Sequence, residues 1–385
     1  MYRGAVAEIR LDAVSRNLRT VRRLTGNRPV IAVVKADAYG HGAVEVAGRL
    51  AGEGVTFLAV AFSGEAIELR EAGIRTPILV LFDRYGIRDF FEYDLTPVVH
   101  DLFTARELSR VAVKRRQSLD VHVKIDTGMG RLGFNSGDVL KEIAAIGKMS
   151  GLRITGLMSH FSDSDISDTT FAREQLKNFH AIRESLMRKQ GLRLLCHMAN
   201  SGATVSLRDA HLDGVRPGLI LYGHSPFQRP AASGGSSKPG VRQNAESGTA
   251  KLNLVPAMAV KTRILSLRRV PKGAPVSYGR TFITRRNSVI AVLPVGYADG
   301  YNRKLSNAAE VLVKGKRAPV AGRVCMDLVM VDVTGVKGVR ENDEVVLLGR
   351  QGREEITASE IGEKAGTISY EVLTSLGSRS KRIYV

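Results

Sequence analysis

The chain is poor in the residues that would cross-link it or send it out of a reducing compartment. Only two cysteines, Cys196 and Cys325, stand among 385 residues. Two thiols cannot build a disulfide framework, which fits a cytoplasmic location better than secretion. Met1 to Leu11 mixes charged with apolar residues and lacks the apolar stretch of a signal peptide, so none is expected. No apolar run is long enough to span a bilayer, and no membrane partner is expected. Acidic residues are also scarce: 38 Asp and Glu face 57 Lys and Arg, a formal net charge of +19. Such an excess raises the question of nucleic acid. Yet the basic clusters, Arg22-Arg23, Lys114-Arg115-Arg116, Arg268-Arg269 and Arg285-Arg286, are scattered along the chain. No basic tail, zinc-finger spacing or aromatic RNA-binding signature accompanies them. The expectation is a solvated basic surface that attracts small anions, with no specific nucleic-acid partner and no metal site.

What is present is the balance of a soluble globular protein, 44% hydrophobic and 25% charged, at a length that calls for two domains. Short apolar, β-branched runs recur at 30–34, 57–61, 77–81, 95–99, 119–125, 153–158, 194–198 and just before Arg216. Helix-like amphipathic stretches at 64–72, 102–111, 139–149 and 171–189 separate several of them, and the segment at 86–93 is short. About eight such units predict an α/β fold, a (β/α)8 TIM-like barrel whose continuous apolar strands suit a buried parallel sheet. Residues 229–251 are rich in Ser, Gly and Pro and read as a polar insertion or linker. Beyond them the period changes to two, with strand-like runs at 260–270, 289–294, 310–313, 329–333 and 344–348. Residues 357–376 return to helix behind a Thr357-x-x-Glu360 capping box. The division is a barrel over 1–228, the insertion over 229–251 and a mostly β domain over 252–385, the extreme N-terminus being free to pack with the β domain.

In a parallel barrel the residues just past the strand C-termini line the mouth. Lys35 follows the first run; Lys124, Asp126 and Arg131 the fifth; His160 the sixth; His197, Asn200 and Ser201 the seventh; Arg216 and Gly218 the eighth. Each has a plain structural alternative. A lysine at a strand end is usually solvated, and a lone histidine is usually a hydrogen-bonded core residue. Asn200-Ser201-Gly202 reads equally as a helix cap, and Arg216 could pair with Asp213. Together they suggest more. A lysine walled by Val33, Val34 and Ala36 loses solvation, so its pKa falls and it can attack an aldehyde. The loops after strands seven and eight are the usual phosphate site of such barrels, and free N–H groups of the following helix would support a phosphate there. An arginine between these two ends can reach a cofactor ring. Pyridoxal phosphate meets that description.

At this point the chain resembles the bacterial alanine racemases. The nonapeptide Val34-Lys35-Ala36-Asp37-Ala38-Tyr39-Gly40-His41-Gly42 is similar to the family's cofactor-lysine signature. Supporting matches are 124–133, Ser159-His160-Phe161, 197–204, 215–223, Val276-Ser277-Tyr278-Gly279-Arg280, 296–301, 322–327 and Ile368-Ser369-Tyr370-Glu371. The resemblance implies interconversion of L- and D-alanine with pyridoxal 5'-phosphate as cofactor, supplying D-alanine for peptidoglycan. It implies that Lys35 holds the cofactor and serves as base on one face of the substrate, and that Tyr278 serves on the other. In the family this tyrosine comes from the partner of a head-to-tail homodimer, so active sites are shared. Arg216 is implied at the pyridine nitrogen, His160 near the ring, and Arg131 at the phenolic oxygen and substrate carboxylate. Tyr39, Ser201, Gly218, Leu219 and Tyr370 are implied at the phosphate, with Asn200 beside them. Met326 and Asp327 are implied to shape the substrate pocket, and Tyr297 and Arg303 to form its entrance. Lys124 corresponds to a lysine that the family often carries carbamylated. The length of the insertion and the basic balance depart from the family, but neither touches a motif.

The nearest rival is a serine or broad-specificity racemase of the same fold. A fold-related decarboxylase is disfavoured by Cys325-Met326-Asp327, where a catalytic Cys followed by Glu is expected. A non-enzymatic cofactor carrier would not need Tyr278.

Overall fold

The structure, a computed structural model, describes residues 4–190, 194–227 and 252–385. The polar stretch 229–251 lies outside the described residues. Seven strands, Ile31–Val33, Phe57–Val60, Ile78–Val80, Thr96–Val99, Leu119–Asp126, Leu152–Met158 and Leu195–His197, each pair in parallel with the next. Their two faces separate cleanly. Ile31, Val33, Ala59, Leu79, Val98 and Met158 form a small inner cluster. Ala32, Val34, Leu58, Val60, Ile78 and Val80 join the large cluster shared with the surrounding helices. This is the alternation of a strand buried on both sides.

The expected eighth strand is corrected to a seam. Gly214 bridges His197 and Val215 bridges Val30, both in parallel. Hydrogen bonds from Ile31 N to Val215 O (2.9 Å), from Val33 N to Pro217 O (3.0 Å) and from Arg216 N to Ala199 O (2.7 Å) close the ring. Pro217 has no N–H to give and Gly214 no side chain to pack, so no longer ladder forms between them.

The β domain recruits the start of the chain. Val6–Ile9 runs antiparallel to Met258–Arg263 and parallel to Lys381–Tyr384. Ser266–Val270, Ser288–Leu293 and Val329–Asp332 form a second sheet, so the single strand expected over 260–270 is two. The helix expected over 357–376 is also two, Ala358–Ala365 and Ser369–Arg379. Thr357 caps the first, its Oγ1 accepting from Glu360 N at 3.1 Å. Gly366, at φ 66°, ends it in the left-handed conformation that glycine adopts freely. The strand Lys381–Tyr384, which follows the second helix, was not expected. Among the described residues no helix is long and apolar enough to cross a membrane.

Candidate active site

From the first barrel strand the chain passes through Val34 to Lys35 and then makes a left-handed turn. Ala36, Asp37, Ala38 and Tyr39 all have φ between 52° and 55°. None is glycine, and each L-residue in this conformation costs about 1–2 kcal/mol, so the surroundings must hold the turn. Glu65 accepts from Ala36 N through one carboxylate oxygen and from Ala61 N through the other, both at 2.6 Å. Asp37 accepts from Ala43 N at 2.7 Å. His41 Nδ1 faces the carbonyls of Ala38 (3.0 Å) and Tyr39 (3.1 Å), which sets it as the donor nitrogen. Burial keeps this ring neutral, with its pKa pushed down to about 3.

The amine of Lys35 is half-buried at the mouth. Burial lowers its pKa, Arg131 lowers it further, and Glu65 opposes them. Three cations surround the ring of Phe82: Lys35 Nζ at 5.3 Å, Lys124 Nζ at 5.6 Å and Arg131 Cζ at 5.4 Å from its centroid. Phe82 is one of the residues that sequence reasoning missed. Lys124 lies on the inward face of its strand, since Val121, Val123 and Ile125 pack outward. Its pKa is pushed down to about 8, first by burial and then by Arg131 and Arg216. Asp126 shapes the loop that carries Arg131. Its Oδ1 accepts from the amides of Gly128, Met129 and Gly130 at 2.9, 2.8 and 3.2 Å, and its Oδ2 from that of Arg131 at 3.2 Å.

Arg216 is the hub. Its Nη1 donates to His197 O and meets His197 Nδ1, both at 2.6 Å. Its Nη2 donates to Ser159 O at 2.5 Å and Met198 O at 3.2 Å, and meets His160 Nδ1 at 3.2 Å. None of these partners is a carboxylate. Asp213 instead binds Arg183 at 2.9 Å and accepts from Cys196 N at 3.0 Å, so the plain Arg216–Asp213 pairing is not formed. Burial without a counter-charge pushes the pKa of Arg216 down to about 9. The contact continues inward, because His197 Nε2 lies 2.8 Å from His122 Nδ1. A guanidinium can only donate, so His197 accepts at Nδ1, carries its proton on Nε2 and passes it toward His122. Burial and then Arg216 hold both rings neutral, His122 at about 4 and His197 well below its usual range. His160 is held neutral in the same way. His122 was also missed. Its spacing of two from Lys124 is the signal that could have found it, and a Cβ at Gly156 would strike its ring.

At the opposite end of the mouth, Ser201 Oγ accepts from Gly218 N at 2.9 Å and Ile220 N at 3.4 Å, joining the last two loops. Asn200 does act as a cap: its Oδ1 accepts from Ala203 N at 3.0 Å and from Ser164 Oγ at 2.7 Å. The Tyr39 hydroxyl lies where a Cβ on Gly218 would project, 2.5 Å from it. The Tyr39 ring packs against those of Tyr222 and Tyr370, at centroid separations of 4.9 and 5.8 Å. Leu219 is buried at the start of the turn Leu219–Tyr222. Tyr39, Ser201, Gly218 and Tyr370 are thus gathered in one place, with Leu219 adjoining.

The remaining expected residues are not at this mouth. Tyr278, Met326 and Asp327 line a groove of about 1370 Å3 in the β domain, together with Cys325 and apolar side chains such as Ile264, Val276 and Ile290. Among the described residues its lining comes from the β domain and from Gly4, Val6 and Glu8 of the N-terminal segment that joins that domain's sheet. Tyr278 is 70% exposed and Met326 54%. Tyr297 is bonded to the same stretch, its N–H donating to Cys325 O at 3.0 Å. Arg303 opens a short turn, Arg303–Leu305. Within one chain, one half of the expected chemistry faces inward and the other half faces out.

The description "Alanine racemase, N-terminal domain" matches residues 9–226, and "Alanine racemase, C-terminal domain" matches 257–384. The alanine racemase of Thermodesulfovibrio yellowstonii is 48% identical, covering 100% of this chain and 99% of that protein. Alanine racemase 2 of Caldanaerobacter subterraneus subsp. tengcongensis is 44% identical over 98% of this chain and 94% of its own length. The solved alanine racemase of Clostridium difficile 630 superposes with a TM-score of 0.89 at 35% identity, covering 100% of this chain and 96% of that one. That of Bartonella henselae, solved with covalently bound pyridoxal phosphate, gives 0.85 at 28% identity, with 99% of both chains covered. The chain therefore belongs to the alanine racemase family, and its activity is the racemisation of alanine.

Proposed function

We propose that racemisation runs between two proton carriers on opposite faces of the substrate, Lys35 and a partner subunit's copy of the Tyr278 phenol, in a homodimer with shared sites. The observation that carries this reading is the division just described. The barrel mouth gathers Lys35, Arg131, His160, Arg216 and the phosphate residues, whereas the phenol stands exposed on the other domain beside Met326 and Asp327.

The residues fit pyridoxal phosphate. Lys35 is an amine whose charged form is disfavoured, as covalent attachment requires. Tyr39, Ser201, Gly218, Leu219 and Tyr370 would take the phosphate, in a cradle that a side chain at 218 would fill. Asn200 would support it by fixing the Ser201 turn. Arg216 would face the pyridine nitrogen, with His160 beside the ring, and Arg131 would meet the phenolic oxygen. The relative from Bartonella henselae carries this cofactor covalently bound. When bound, the cofactor supplies an electron sink that makes the α-proton acidic enough to remove.

The chain's own groups do the rest. Lys35 Nζ takes a proton from one face, and the phenol gives one to the other; the reverse reaction exchanges the roles. Arg216 remains charged at neutral pH and can only donate, so it would favour an unprotonated ring nitrogen in a bound cofactor. Arg131 grips the substrate carboxylate, with Met326 and Asp327 shaping the space around it and Tyr297 and Arg303 at the entrance. Lys124 has the partly neutral amine that carbamylation requires, and the resulting anion would pair with Arg131. The product is D-alanine for peptidoglycan, made in the cytoplasm.

The test mixes Lys35→Ala and Tyr278→Ala proteins under conditions of subunit exchange. Activity should return to roughly a quarter of the wild-type rate, the statistical share of sites with neither lesion. No recovery after verified exchange rejects the shared site. D-amino-acid formation from L-alanine, L-serine and larger L-amino acids, with and without pyridoxal phosphate, fixes the substrate range.

A further inference from the structure

We infer that Arg382 is a positioning residue: through Asp37 it clamps the left-handed turn that carries Lys35. The link to catalysis rests on Lys35 holding the cofactor; the clamp itself rests on the backbone geometry alone.

Asp37 is the second of the four left-handed residues. One of its carboxylate oxygens receives the amide of Ala43, and the other receives Arg382 Nη2. Arg382 is fixed in turn, its Nε donating to Gly377 O at 3.1 Å. Both side chains are largely covered, 20% and 34% exposed. The surrounding backbone is closed just as tightly. A Cβ on Gly42 would collide with the Tyr384 hydroxyl, and one on Gly40 would fall 2.5 Å from Leu373 O. A Cβ on Gly377 would strike Gly40 O. The helix Ser369–Arg379 and the strand Lys381–Tyr384 therefore lie directly over the turn.

That strand belongs to the other domain's sheet, where Glu8 pairs with Ile383 and Ile9 with Tyr384. The lysine turn is thus held from outside the barrel that bears it. A run of four non-glycine residues in this conformation relaxes toward the right-handed basin unless opposed. Asp37 is the turn residue with a charged side chain to grip, and Arg382 grips it.

The experiment compares Arg382→Ala, Arg382→Lys, Asp37→Asn and the Asp37→Asn/Arg382→Ala double variant. Hydrogen exchange is followed by mass spectrometry in cofactor-free protein. In Arg382→Ala, amides of 34–43 should exchange roughly tenfold faster while those of 6–9 stay unchanged. Arg382→Lys should restore part of the protection, and the double variant should exchange no faster than the worse single one. Unchanged exchange at 34–43, or an equal rise at 6–9, overturns the clamp. In protein loaded with pyridoxal phosphate, Arg382→Ala should shift the cofactor absorbance and lower kcat severalfold, with KM for alanine little moved. Faster exchange with an unaltered spectrum and kcat overturns the positioning role. Failure of the reading beneath it would look different: wild-type protein would keep its bound-cofactor absorbance when Lys35 is replaced by Ala.

Discussion

The barrel mouth and the groove of the β domain are built on opposite terms. At the mouth, Arg216, His197 and His122 are buried and joined by bonds of 2.6 and 2.8 Å, and the lysine turn is held in a conformation it would not choose. In the groove, Tyr278 and Met326 are mostly exposed and the walls are apolar. The first region completes itself within one chain. The second has the character of a surface awaiting a counterpart, as exposed apolar areas rimmed by polar groups do. The difference teaches where precision comes from: side chains locked by packing and second contacts are set by their own surroundings, whereas an exposed phenol has no such packing to fix it.

The sharpest way to break this contrast is at its inner pole. Lys35→Ala should abolish both racemase activity and the absorbance of bound cofactor, as checked by chiral assay and a visible spectrum. Retention of both would mean that the strained turn serves no chemistry. At the outer pole, Tyr278→Phe should cut exchange of solvent deuterium into one alanine enantiomer by about 10²–10⁴-fold, the usual worth of a positioned acid or base. Exchange into the other enantiomer should suffer far less. Equal, mild losses measured by proton NMR would erase the division between the two faces.

A smaller effect separates the domains by pH. All 8 histidines precede residue 225. Burial pushes His41 to about 3, and His122 and His224 to about 4, against an ordinary value of 6.5. The unfolded chain then binds protons that the folded chain refuses. Stability is intact above pH 6.5 and falls as the pH drops toward 4, by up to about 1.4 kcal/mol per pH unit for each histidine. Urea unfolding at pH 7.5, 5.5 and 4.5 should show this loss, and hydrogen exchange should locate it in the barrel. A loss that appears first in the β domain would contradict the assignment.

The strands and most helices were legible because apolar periodicity is local. The left-handed turn was not. Ala36, Asp37, Ala38 and Tyr39 contain no glycine to announce it, and it is held by contacts that include Glu65 and Arg382, the latter more than 300 positions away. The eighth strand was overestimated because a bridge of single residues leaves the same apolar trace as a short strand. Lys381–Tyr384 was missed because Lys-Arg-Ile-Tyr spans only four positions and shows no alternation of charged and apolar residues. Lys35, Arg131 and Arg216 could be placed at the barrel mouth because strand ends are recognisable. His122 and Phe82 were missed because an aromatic within or beside an apolar run looks like core. Tyr278 was singled out only through the resemblance, since an exposed tyrosine beside a glycine carries no local signal of chemistry.

The cations around Phe82 have a thermodynamic corollary. Lys35, Lys124 and Arg131 crowd one ring, Arg216 lies deeper, and the nearby carboxylates of Glu65 and Asp126 already receive backbone amides. These basic groups therefore disfavour one another's charged forms, and an anionic occupant favours them. Heat resistance should climb with the concentration of any small phosphorylated aldehyde or carboxylate that settles there, by mass action alone, before a single turnover takes place.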